Sequence, residues 1–191
     1  MRICVVNGHP DPRPERYCHA LATAYAKGAE EGGHAVRRID IGALDFPVFR
    51  TAADFEEGEP PEDIRHAQEA IRWAEHLVIV YPLWLGMLPA LLKGFFEQVF
   101  RYGYAIDVTE GGWMSLLKGR SARVIVTMAM PGFFYRVWFL AHSLRAFRRG
   151  ILGIAGIRPV RSTILGLVEE VAPETRHKWL DDIRALGRKG R

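Results

Sequence analysis

Three stretches of the chain hold the residues most able to do chemistry. The first is His9–Cys18 (HPDPRPERYC), which places His9, Arg13 and Arg16 just ahead of a helix expected to open at Tyr17-Cys18. Free backbone N–H groups and the positive end of the helix dipole favour an anion there, and a phosphate is the natural guest. Prolines stiffen the loop. From position alone, a proline-rich surface turn with solvated arginines stands equally well. The second stretch, Pro82–Leu88 (PLWLGML), puts tryptophan and leucines where polar turn residues are expected. Burying one such side chain is worth roughly 1.5–3 kcal/mol, so an exposed loop of this kind favours a flat partner or a second subunit. The third, Met128–Phe134 (MAMPGFF), again brings large soft apolar groups into a turn. It reads equally as core running into a turn. Taken together, a phosphate cradle flanked by two apolar walls describes a site for a flat ring with a phosphorylated tail, and flavin mononucleotide (FMN) fits that description.

These stretches need elements to position them. Arg2–Asn7 (RICVVN), His34–Asp40, Leu77–Tyr81 (LVIVY), Ala122–Thr127 (ARVIVT) and Arg158–Leu165 read as strands. Helices are expected over Tyr17–Glu30, from Pro61, from Pro89 through Phe100, over about Tyr135–Leu152, and from Pro173 into a basic tail, Arg184–Arg191, expected to fray. Short apolar strands alternating with helices imply a parallel sheet covered on both faces. The predicted fold is α/β and flavodoxin-like: one domain over residues 1–191, five strands in the order 2-1-3-4-5. In that order ligands bind beyond the carboxyl ends of the strands, where the three stretches converge.

Composition narrows the classes. The 191 residues are 49% hydrophobic and 25% charged, with a formal charge of +4. This mild basicity suits an anionic ligand and lacks the clustered stripe of a nucleic-acid binder. Cys4 and Cys18 form no disulfide framework and no metal-ligand spacing, and reduced cytoplasmic thiols are the default reading. No signal peptide or membrane-inserted segment is expected, since the longest uncharged apolar run, Leu77–Leu92, is interrupted by prolines and glycine. Neither GxGxxG nor a Walker lysine motif is present.

Residues 81–100, YPLWLGMLPALLKGFFEQVF, resemble the Pro-Leu-x-x-x-x-x-Pro-Ala-x-Leu-Lys-Gly signature of the flavodoxin-like NAD(P)H:quinone oxidoreductases, which include the DT-diaphorases and the ancillary subunits of bacterial potassium-efflux systems. NGHPDPRPERYCHALA is similar to the family's first loop, and ILGIAGI (Ile151–Ile157) to its segment before the last strand. The resemblance implies a homodimeric enzyme with bound FMN, or FAD, that passes two electrons from NAD(P)H to a quinone or similar acceptor in a ping-pong cycle. It implies that His9, Arg16, Tyr17 and Cys18 hold the flavin phosphate end. Pro82, Leu83, Trp84 and Leu85 would line the ring, with Met128, Ala129, Met130 and Pro131 opposite. Tyr135 and His142 are the candidate catalytic residues near the acceptor. Many relatives carry Ser-Phe-Asn where this chain has Arg16-Tyr17-Cys18, and Thr-Thr-Gly-Gly where it has Thr127-Met128-Ala129-Met130. An arginine in place of a hydroxyl keeps a phosphate donor but alters it.

Two other functions compete with the enzyme. One is a regulatory flavin- or nucleotide-binding subunit of a membrane transport system. The other is a single-electron carrier, which a basic surface suits less. The apolar helix after residue 135, with Phe95–Phe100, is expected to build a two-fold interface. Arg145, Arg148 and Arg149, in one helix with Arg136, read first as a solvated face, and otherwise as a contact for a nucleotide phosphate or an acidic partner.

Overall fold

A computed structural model describes residues 1–191. In chain order the elements are β1 (Arg2–Asn7), α1 (Tyr17–Glu31), β2 (Ala35–Asp40), α2 (Ala52–Glu56), α3 (Glu62–Trp73), β3 (His76–Pro82) and α4 (Ala90–Val99). Then follow β4 (Ile106–Thr109), β5 (Gly112–Ser115), β6 (Ser121–Thr127), α5 (Gly132–Val137), α6 (His142–Ala146), β7 (Val160–Leu165) and α7 (Pro173–Arg188). The five-stranded sheet is parallel throughout and runs β2-β1-β3-β6-β7. This departs from the expected 2-1-3-4-5 because β4 and β5, which pair with each other as an antiparallel hairpin outside the sheet, intervene between its third and fourth strands.

Side-chain alternation divides the apolar residues between the two faces. Ile3, Val5, Val78, Val80 and Ile125 join the α1 core, whereas Cys4, Val6, Ile79, Tyr81, Val124 and Val126 join the larger core under α3 and α4. α3 shows why these helices dock. Ile64, Ala67, Ala70 and Ile71 recur at helical spacing and are buried, and Glu62 and Asp63 suit the positive first turn.

The carboxyl-terminal tail does not fray. α7 continues to Arg188 because it crosses α1 at glycines: a Cβ on Gly28 would overlap the Arg184 carbonyl oxygen, and one on Gly187 the Tyr25 carbonyl oxygen. Arg184 and Arg188 both bind Glu31 and hold its carboxyl down to about 2. The helix expected over Tyr135–Leu152 is also divided. α5 ends at Val137, Leu140 and Ala141 adopt φ of 51° and 47°, and α6 passes into a π-helical turn, Phe147–Leu152. No helix is long and apolar enough to cross a membrane.

Candidate functional site

The loops that follow β1, β3 and β6 are joined at the carboxyl edge of the sheet. The Gly8 N–H donates to the Val80 carbonyl oxygen at 2.7 Å, and the Leu83 N–H to that of Thr127 at 2.7 Å. Cys18 Sγ lies 3.5 Å from Thr127 Oγ1. The His9 and Trp84 rings meet edge to face with centroids 5.8 Å apart. These contacts bring the three stretches into one place, with Thr127 as the shared anchor. Its hydroxyl and carbonyl roles had no motif to announce them.

The first loop is organised on Asp11. Its carboxylate accepts from Arg13 Nε and Nη2 and from Arg16 Nε, the last at 2.7 Å, and these guanidinium groups hold it well below the usual carboxylate range. His9 is fixed twice: its N–H donates to Asn7 Oδ1, and its Nδ1 accepts from the Asp11 N–H at 3.0 Å. Burial lowers the pKa of its imidazole. Arg16 is therefore already engaged by Asp11. Sequence reasoning named Arg16 and passed over Asp11, although the spacing Asp11, Arg13, Arg16 was there to be read.

Just beyond, α1 opens without a side-chain cap and without an acidic residue in its first turn. The N–H groups of Tyr17 and Cys18 have no acceptor within the chain. Two unpaired donors at the positive end of a 15-residue helix make a corner of the kind that holds anions. Tyr17 and Cys18 offer it their backbones alone. The Tyr17 hydroxyl donates to the Arg176 carbonyl oxygen at 2.9 Å, and the Cys18 thiol is buried, which pushes it up to about 11.

The second loop is a tight turn. Trp84 and Met87 exchange two backbone hydrogen bonds of 2.9 Å, with Leu85 at φ 48° and Gly86 at φ 76° between them. A leucine in the left-handed region costs about 1–2 kcal/mol. Its side chain is fully exposed, with Trp84 and Met87 beside it also exposed. Leu83, expected to line the ring, lies one residue past β3 with its side chain buried in the core. Pro82 is half-buried at the strand end.

The third loop separates in the same way. Met128 is buried and its N–H donates to Leu165 O, so it belongs to the core and not to the expected wall. Ala129 and Pro131 are exposed and Met130 half-buried. The Ala129 and Met130 N–H groups have no acceptor in the chain. Phe133 and Trp138 continue the apolar surface outward, both more than two-thirds exposed at 77% and 73%.

The two candidate catalytic residues part company. Tyr135 is wholly buried and its hydroxyl oxygen accepts from the Leu144 N–H at 3.2 Å, so it closes the turn between α5 and α6 and packs where it was expected to react. His142 is exposed. A Cβ built on Gly86 would stand 4.0 Å from His142 Cε1, which places the imidazole over the Leu85-Gly86 turn. Its Nδ1 donates to the Phe139 carbonyl oxygen at 2.9 Å, leaving Nε2 free.

Comparison with known proteins follows this geometry. A family model described as "Flavodoxin-like fold" matches residues 1–186. The chain is 24% identical to an "Uncharacterized NAD(P)H oxidoreductase" of Haemophilus influenzae over 95% of this chain and 91% of that protein. It is 27% identical to an "FMN-dependent NADH:quinone oxidoreductase" of Nitratidesulfovibrio vulgaris, covering 86% of each. Among solved structures, the NAD(P)H:quinone oxidoreductase from Methanothermobacter marburgensis superposes with a TM-score of 0.79 at 27% identity, covering 98% of both chains.

Proposed function

Because the chain belongs to the flavodoxin-like fold family, we propose that it is a flavin-dependent NAD(P)H oxidoreductase that reduces a quinone or a similar small acceptor. The names of its relatives in Haemophilus influenzae and Nitratidesulfovibrio vulgaris support the reaction class. The observation that carries the reading is the meeting of an unpaired amide corner with an exposed, strained apolar rim at one edge of the sheet.

The residues fit FMN. On this reading its phosphate lies at the Tyr17 and Cys18 N–H groups, with Arg16 and His9 beside them; the uncapped start of α1 supports it. One phosphate matches one corner, and this favours FMN over FAD. Trp84 and Leu85 with Pro82 form one side, and Ala129, Met130 and Pro131 the other. Unpaired N–H groups of Ala129 and Met130 are available to carbonyl oxygens of the ring. When bound, the flavin supplies a ring that takes a hydride from NAD(P)H and releases two electrons to the acceptor. The chain's own part is to orient the ring, to exclude water with the Trp84–Met87 rim, and to hold a proton at His142 Nε2 beside the acceptor.

The donor leaves before the acceptor enters, so both use the same face in turn. Titrating the purified protein with FMN should show one bound per chain. Initial rates with NAD(P)H and a benzoquinone should give parallel double-reciprocal lines. Converging lines would exclude the shared face, and failure to bind FMN would exclude the cofactor assignment.

The protein is also proposed to act as a dimer. Phe96 and Phe100, with Phe55, Trp113, Ile151 and Ile154, line an open apolar depression of about 150 Å³. The expected interface joined Phe95–Phe100 to the apolar helix after residue 135: Phe95 is wholly core and Phe96 forms the floor, while exposed apolar surface comes from Trp113, Met114 and Ile154 and, beyond the depression, from Val137, Trp138 and Leu140. A second copy is the proposed cover.

A further inference from the structure

We propose that a cleft at the amino end of β7 is a second binding site, for a small molecule bearing two or more phosphate groups. Arg145, Arg148, Arg149 and Arg158 line it with Pro159 and Val160, and its volume is about 830 Å³. That is within the range of small-molecule sites. No carboxylate lines it. None of the four guanidinium groups takes part in an ion pair.

The cleft is built from two separate segments. Arg145 closes α6, Arg148 and Arg149 follow in the π-helical turn, and Arg158 arrives on the strand entry. Arg148 Nη2 donates to the Val160 carbonyl oxygen at 2.6 Å, which ties the turn to the strand, and Arg148 Nε is buried with no partner. A cation or two near a helix end is ordinary electrostatics. That does not account for Arg158, which belongs to another segment. Four arginines lining one concavity focus a positive potential there. Arginine forks take phosphate oxygens in pairs, so several forks match several phosphates better than one.

The site is distinct from the redox edge. Val160 begins β7 and Leu165 ends it, and five residues of strand separate the two levels by about 17 Å. Arg158, at that lower level, therefore serves neither the phosphate corner at Tyr17 nor the apolar rim, and no residue of the rim lines the cleft.

Isothermal titration of inorganic tripolyphosphate into the full-length protein tests this, with and without saturating FMN, at physiological salt. Saturable 1:1 binding is expected in both conditions. The affinity should fall by about tenfold or more in Arg145→Gln/Arg149→Gln and in Arg158→Gln, and stay unchanged in Arg65→Gln, a surface control on α3. Unaltered thermal melting of each variant shows that the fold is retained. Absence of saturable binding would overturn the proposal, as would equal affinity in all variants or displacement by FMN. Equal affinity for citrate would overturn the phosphate assignment. Because the arm without FMN stands alone, its outcome is separable from that of the redox reading.

Discussion

Exchanging His142 for Gln removes a free ring nitrogen from the rim but leaves Trp84 and Leu85 in place. If His142 holds the proton beside the acceptor, kcat with quinone falls by about tenfold or more while FMN stoichiometry is unchanged. An unaltered kcat would reduce it to part of the wall. Arg16→Ala removes a fork near the phosphate corner and should raise the FMN dissociation constant by about tenfold, measured by flavin fluorescence. Unchanged affinity would mean that Asp11 keeps Arg16 fully occupied. A third residue governs stability. His76 is buried at the start of β3, its Nδ1 is 2.7 Å from Ser121 Oγ, and its Nε2 lacks a partner. Burial, then Arg123, Arg161 and His34, lower its pKa from 6.5 to about 4. The unfolded chain therefore binds the proton first, so this group's contribution declines as pH falls from 6.5 toward 4. Urea midpoints should show that decline, and His76→Gln should flatten it. These roles differ in legibility. Residue types at the rim were readable, but which side chains face outward depended on the local backbone, which buries those of Leu83 and Met128.

At the level of elements, the α1–α7 crossing depends on the missing side chains of Gly28 and Gly187. Gly187→Val forces overlap with the backbone of α1 and should cost about 1–3 kcal/mol in urea unfolding. Unchanged stability would show that the crossing can open. The sequence carried the signal for this contact, since Gly28 of α1 and Gly32, which caps it, lie four apart and both meet the backbone of α7. β1, β3 and β6 were legible because each is a short apolar run buried on both faces, whereas the edge strands β2 and β7 are only partly buried. The hairpin was not: β4 and β5 have four residues each, and of their apolar residues only Ile106 is buried while Val108, Trp113 and Met114 are exposed. Nor was the break before α6 readable, because no glycine or proline marks Trp138–Ala141 and the chain turns on Leu140 and Ala141 in the left-handed region. That break is what carries His142 to the rim.

The whole molecule combines a fold that was plain in the sequence with surfaces that were not. Alternating strands and helices fixed the sheet and hence the edge at which any ligand must bind, while the outward apolar surface depended on the unforeseen hairpin. If a second copy covers that surface, light scattering should give twice the chain mass, and Trp113→Glu should return a monomer. A monomeric parent protein would leave the depression without its proposed cover. The central claim is that the loops after β1, β3 and β6 form one redox site. Its most direct test is anaerobic spectroscopy of the protein reconstituted with FMN, mixed first with NAD(P)H and then with a benzoquinone. The flavin absorption should bleach on the first addition and return on the second, within the turnover time and with one flavin per chain. Absorption that stays unchanged on adding NAD(P)H, with FMN demonstrably bound, would contradict the account.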